Sequence, residues 1–148
     1  MNQTVFILNG PNLNLLGERE PHIYGHETLA MIEQRCIARG REHGFAIDFR
    51  QSNIEGEIIN SVHEARQKAV AIVINPAGFS FTSIALLDAL KAFDGTKLEV
   101  HLSNIHRREE IYHRSLVSRT ADAVIAGLGA DGYILALDAL RRRLDAAK

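Results

Sequence analysis

Val70-Ala-Ile-Val-Ile-Asn-Pro-Ala-Gly78 begins as a continuous apolar run, β-branched except at Ala71, and ends in a turn. A strand apolar on both faces must be covered on both faces, which marks the centre of a parallel sheet. Outward from it, strands alternate with helices. Upstream, Thr4 to Leu8 is a second apolar strand. A helix from about Thr28 to His43 carries Leu29, Ile32, Cys36 and Ile37 on one stripe and stops at Gly44. Phe45, Ile47 and Phe49 alternate along residues 45–51, the pattern of an edge strand with one wetter face. Ile58, Ile59, Val62, Ala65 and Ala69 define the next helix.

Downstream, Thr82 or Ser83 caps a helix running to about Phe93, with Ile84, Leu87 and Leu90 on its apolar stripe. Lys97 to Leu102 and Ala121 to Ala126 are the fourth and fifth strands, separated by a polar segment of loop and short helix. The last helix spans about Asp131 to Ala146, with Ile134, Leu137, Leu140 and Leu144 in step. Five strands alternating with helices specify an α/β fold with right-handed crossovers. At this length the natural arrangement is a flavodoxin-like three-layer sandwich. It has a five-stranded parallel sheet of order 2-1-3-4-5 and a single domain over residues 1–148.

The chain has 148 residues, 46% apolar and 24% charged, an ordinary globular composition. With a formal net charge of -1, no electrostatic pull toward nucleic acid or membrane is expected. Arg141, Arg142 and Arg143 sit at the end of a helix, where cations complement the dipole, and are expected to be solvated. The single cysteine, Cys36, excludes an intrachain disulfide and is expected to pack in the core. No apolar run is long enough for a signal peptide or membrane span, so a cytoplasmic protein is expected.

Strand one empties into Asn9-Gly-Pro-Asn-Leu-Asn-Leu-Leu-Gly-Glu-Arg-Glu-Pro-His-Ile-Tyr-Gly25, which has neither helical nor alternating period. Strand-to-helix connections usually take about 2–6 residues, and longer ones tend to be active-site covers or disordered segments. Leu13, Leu15, Leu16 and Ile23 supply apolar anchors that a solvated linker lacks. In a sheet of this order ligands bind beyond the strand ends where the order reverses. Asn9 and Asn12, Asn75 and Pro76, and His101, Ser103 and Asn104 all fall there.

Glu99 and His101, two apart in a strand, project to one face, while Leu98, Val100 and Leu102 take the other. Such a pair is either a general acid–base unit or a satisfied polar pair at a strand end. Tyr24 lies in the loop near Arg19. A phenol is a poor base near neutral pH unless cations favour its anion, and Arg19 and Arg108 are the candidates. Tyr24 is otherwise a packing residue. Gly127-Leu-Gly-Ala-Asp-Gly132 matches a dinucleotide fingerprint, but no later strand can supply the ribose-binding acid, so it is a tight strand-to-helix turn. His101, His106 and His113 follow no dependable metal-ligand spacing.

The loop at 9–25, Gln51-Ser-Asn-Ile-Glu-Gly-Glu-Ile-Ile59, residues 74–90, residues 99–110 and residues 127–137 together resemble type II 3-dehydroquinate dehydratase, in order and at matching spacing. The resemblance implies an elimination in which Tyr24 takes a proton from C2 of the substrate and His101 protonates the departing C1 hydroxyl. Glu99 would orient and charge His101. Arg19 and Arg108 would keep Tyr24 anionic, and Asn12 would hold a water near the enolate oxygen. Asn75, Leu102 and Ser103 would bind the substrate, a small cyclic carboxylate, with Ser103 and adjacent amides receiving its carboxylate. The family uses no metal or organic cofactor, serves the shikimate route to aromatic amino acids or quinate metabolism, and assembles as a dodecamer, a tetramer of trimers.

Two positions depart from the family pattern. Phe81 stands where the family has histidine, and Tyr112 where it has an arginine partnered by Asp88. All three belong to the ring-hydroxyl pocket that the resemblance implies. Each lost hydrogen bond costs about 0.5–1.5 kcal/mol, more where a charge is involved. Three functions therefore follow from the residues. One is 3-dehydroquinate dehydratase with an altered hydroxyl pocket. Another is a paralogue dehydrating a less hydroxylated cyclic acid. The last is a non-catalytic binding protein of the same fold.

Overall fold

Strand β3 (Ala71–Asn75) is buried along its whole length at the centre of the sheet. It is flanked by β1 (Gln3–Asn9) and β4 (Thr96–His101), with β2 (Phe45–Gln51) and β5 (Ala123–Ala126) at the edges. The strand order is β2-β1-β3-β4-β5, every neighbouring pair is parallel, and the fold is flavodoxin-like. The computed structural model describes residues 3–148.

Five helices accompany the strands: α1 (Pro21–Tyr24), α2 (Leu29–Glu42), α3 (Glu55–Lys68), α4 (Ile84–Lys91) and α5 (Asp131–Ala146). Alternation along each strand sends side chains to opposite faces, so the sheet has two cores. Val5, Ile7, Val73, Leu98 and Val100 pack with Ile32 and Cys36 of α2 and Leu137 and Leu140 of α5. Phe6, Leu8, Ile72 and Ile74 pack with Ile58 and Val62 of α3 and Leu86 and Leu90 of α4. Cys36 is fully buried, and burial pushes its thiol up to about 12.

The helix starts follow local chemistry. Thr28 accepts a hydrogen bond from the Met31 amide, and Ser83 accepts one from the Leu86 amide, so Ser83 rather than Thr82 is the cap of α4. With α4 beginning there, Leu86 turns inward and Ile84, expected on the apolar stripe, is 64% exposed. The long loop contains a 3₁₀ turn at Leu13–Leu15 as well as α1. Turns of three or four residues are too short to show a period. Leu13 and Leu16 anchor the loop as expected, but Leu15 faces outward. Between β4 and β5, Ile105–Arg107, Glu110–Tyr112 and Val117–Arg119 form three further 3₁₀ turns.

Arg141 departs from the expected solvated helix end. Its guanidinium donates to Gln3 Oε1, the His43 carbonyl and Asp145, and lies over the Phe45 ring, because its stem reaches back along α5 to the foot of the sheet. Arg142 and Arg143 are exposed.

At the opposite end, β1 and β3 part and their outgoing loops touch. The Gly10 amide donates to the Asn75 carbonyl at 2.8 Å, and a Cβ at Gly10 would stand 2.3 Å from the Pro76 oxygen. Only glycine permits this approach, which sets the floor of the crevice.

Candidate active site

The crevice lies beyond the ends of β1, β3 and β4. Its floor comes from the strand ends: Asn12, Asn75, His101, Leu102 and Ser103. Its walls are Phe81, Arg108 and Tyr112, and its cover is Arg19 and Tyr24 from the long loop. Ten of the residues singled out in the sequence thus share one cavity. Glu99 and Asp88 do not line it. Glu99 is completely buried behind His101. Asp88 is exposed on the outer side of α4, away from the cavity of its own chain, and has no hydrogen bond to Tyr112 among the described residues. Its helical position explains this: the inward stripe of α4 is Leu86, Leu87, Ala89 and Leu90.

Strand periodicity places Glu99 and His101 on the same face, and His101 Nε2 lies 2.5 Å from Glu99 Oε2. The Ser118 hydroxyl donates to the other carboxylate oxygen at 2.6 Å. Burial pushes the Glu99 carboxyl up, but the bonds from His101 and Ser118 outweigh it and hold the group below the ordinary carboxylate range. His101 is 4% exposed, and Phe81 stacks beside it with ring centroids 6.4 Å apart. The carboxylate fixes one ring nitrogen, leaving Nδ1 as the nitrogen free to exchange a proton.

The glycine-rich turn braces this unit from behind. The Gly127 and Gly129 amides donate to the carbonyls of His101 and Leu102 at 3.2 and 2.9 Å. This turn holds the end of β4, consistent with its reading as a strand-to-helix connection.

On the other side Arg19 and Arg108 both lie over Tyr24, their guanidinium carbons 5.1 and 5.4 Å from the ring centroid. Both guanidinium groups therefore face the ring of one phenol. Asn12 adopts a left-handed conformation at φ 70°, which asparagine tolerates, and its amide donates to Asn53 Oδ1.

Two residues of the site had little sequence signal. Ser118 sits in an aperiodic polar segment. Tyr133 is fully buried in α5; its hydroxyl donates to Asn9 Oδ1 at 2.7 Å and accepts from Asn75 Nδ2 at 3.0 Å. Asn75 Oδ1 in turn accepts from the Ala77 amide, so its rotamer is fixed. A large hydroxyl-bearing ring in an otherwise aliphatic stripe was the available clue. Tyr133→Phe is expected to leave two buried polar groups unpaired and to destabilise the fold by about 1–3 kcal/mol, measured by urea unfolding. An unchanged midpoint would show that this bridge contributes nothing.

Fold and site define a flavodoxin-like α/β protein whose crevice sets a cation-flanked phenol against a carboxylate-held imidazole, a layout suited to acid–base elimination. The sequence model described as dehydroquinase class II matches residues 3–141. The chain belongs to the class II dehydroquinase family. It is 58% identical over 137 residues to 3-dehydroquinate dehydratase of Cereibacter sphaeroides, covering 93% of each chain. It is 56% identical to that of Streptomyces avermitilis, covering 93% of this chain and 87% of the relative. The crystal structure of type II dehydroquinase from Propionibacterium acnes superposes with a TM-score of 0.93 at 44% identity, covering 96% of this chain and 98% of the other.

Proposed function

We propose that the chain removes water from 3-dehydroquinate to give 3-dehydroshikimate, as a hydro-lyase working through an enolate. The observation that carries the chemistry is the meeting, in one crevice, of Tyr24 between Arg19 and Arg108 with His101 held by Glu99. The substrate class rests on the relatives, which share the name 3-dehydroquinate dehydratase.

In this reading the Tyr24 phenolate takes a proton from C2, next to the ketone. The electron pair left behind spreads onto the ketone oxygen, where a water held by Asn12 stabilises it. Collapse of the enolate expels the C1 hydroxyl, His101 supplies its proton, and water departs. The Arg19 and Arg108 charges stand beside the phenol that receives the proton. Asn75, Leu102 and Ser103 hold the substrate, Ser103 and neighbouring amides receiving the carboxylate. Phe81 presents aromatic surface to the substrate ring, and the face of Tyr112 is turned to Arg108. A cover that excludes water strengthens each of these charge interactions.

Residues 1–148 act as one domain in this proposal, assembled as a tetramer of trimers. The exposed apolar side chains of Val124, Leu128 and Leu135 on and beside the β5 edge support burial between copies. No helix among the described residues is long and apolar enough to cross a membrane. The proposed setting is the cytoplasm, in shikimate or quinate metabolism.

The test follows enone absorbance when 3-dehydroquinate is added to the pure protein, beside the double variant Phe81→His with Tyr112→Arg. Turnover by the unmodified chain is expected. Turnover by the double variant alone would identify a paralogue acting on a less hydroxylated acid. Silence from both would remove the enzymatic reading.

A further inference from the structure

Arg108 is held differently from the carboxylate-paired arginines Arg35, Arg39 and Arg50. Arg35, Arg39 and Arg50 are each clamped by carboxylates at 2.6–3.1 Å. No ion pair among the described residues involves the Arg108 guanidinium. It lies instead between two rings, 4.0 Å from the centroid of Tyr112 and 5.4 Å from that of Tyr24. The nearer ring is the stronger hold, since attraction between a cation and an aromatic face falls with distance.

Tyr112 is itself well placed to hold a cation. It ends the 3₁₀ turn at Glu110–Tyr112, its amide donates to the Glu109 carbonyl, and its ring meets Phe81 edge-on at 5.4 Å. Phe81 stacks in turn on His101. One line of rings and cations therefore runs from the imidazole to the phenol. The Tyr112 hydroxyl has no hydrogen-bond partner among the described residues, so the geometry uses its face rather than its oxygen.

We infer that Tyr112 is a positioning residue, its ring holding the Arg108 guanidinium against Tyr24 at the position where the family pattern has an arginine. The inference rests on the elimination proposed above, in which the charge on Tyr24 sets the rate of proton removal. A leucine at 112 fills similar space without a π face. The guanidinium then swings free, and the phenolate keeps only Arg19 beside it.

The test is a double-mutant cycle on the full-length protein. Tyr112→Leu is expected to lower kcat about two- to thirtyfold with KM little changed, the span of a partly desolvated cation–ring contact. Tyr112→Phe recovers most of that loss because the face is restored. In an Arg108→Ala background, Tyr112→Leu adds less than about twofold, because the group it acts through is gone. The inference is overturned if the phenylalanine variant is as slow as the leucine variant, if the loss falls on KM, or if the two losses multiply. A crystal structure of Tyr112→Leu answers without turnover: Arg108 displaced from the Tyr24 ring supports the inference, and Arg108 unmoved sinks it. A chain inactive on 3-dehydroquinate before any substitution would instead defeat the proposed function, and the crystal structure of Tyr112→Leu would then decide the inference by itself.

Discussion

Tyr24→Phe is expected to lower kcat/KM for 3-dehydroquinate by about a thousandfold or more while leaving the fold intact. The change deletes one oxygen. The ring remains between Arg19 and Arg108, whose guanidinium carbons lie 5.1 and 5.4 Å from its centroid. The packing of the ring against both guanidinium groups therefore survives. What disappears is the group that takes the proton in the proposed elimination, and a positioned base contributes about 10²–10⁴ in rate. Tyr24 is only half-buried, so the stability change should stay within about 0.5 kcal/mol, the scale of surface substitutions. Steady-state kinetics and a urea melt measured together decide the matter. A rate within about tenfold of normal would hand the base role to another group.

His101→Ala is expected to cost both turnover and stability, and the two losses have different origins. Turnover falls by about 10²–10⁴ because the leaving hydroxyl has no proton donor. Stability falls by about 3–5 kcal/mol at neutral pH because Glu99, completely buried, keeps its charge and loses its principal partner. The pH dependence separates the two. In the unaltered chain Glu99 is held below the ordinary carboxylate range, so its contribution is present above that range and is lost as pH falls through the folded value. Without His101, burial dominates and raises the carboxyl, and acid then relieves the strain by neutralising it. The gap in unfolding free energy between the two proteins should therefore narrow on going from pH 7 toward the acid range. A constant gap would mean that the carboxylate is not what His101 restrains.

Much of this could be read from side-chain periodicity, and what could not has a physical cause. The run at 70–74 named the central strand because burial on both faces leaves no polar alternation, and the observed sheet has the strand order that follows from it. Glu99 and His101 were legible because strand geometry puts residues two apart on one face. Tyr24, Arg19 and Arg108 were harder. They lie in aperiodic segments, and what links them in the sequence is chemistry, the need of a phenol base for nearby cations, rather than any period. Ile84 and Leu15 failed as anchors because a short helix or turn can rotate its stripe by one residue without changing composition. Asp88 lies on the outward phase of α4, which the pattern of the resembled family does not reveal. Ser118 and Tyr133 act through hydrogen bonds spanning 19 and 124 residues, distances over which no local pattern exists.

His101 stands on a strand pinned by the Gly127 and Gly129 amides, whereas Tyr24 is carried on the long loop. In the proposed elimination the two halves of the chemistry are thus mounted on different parts, a braced strand end and a connecting loop, the kind of segment that is generally the more mobile. A molecule that fills only the braced half will be tolerated and left unchanged, because nothing draws the hydrogen-abstracting oxygen down onto it. A rigid compound that wedges the halves apart will block the enzyme with no likeness to any state along the reaction. Screening for antagonists should therefore favour shape over mimicry.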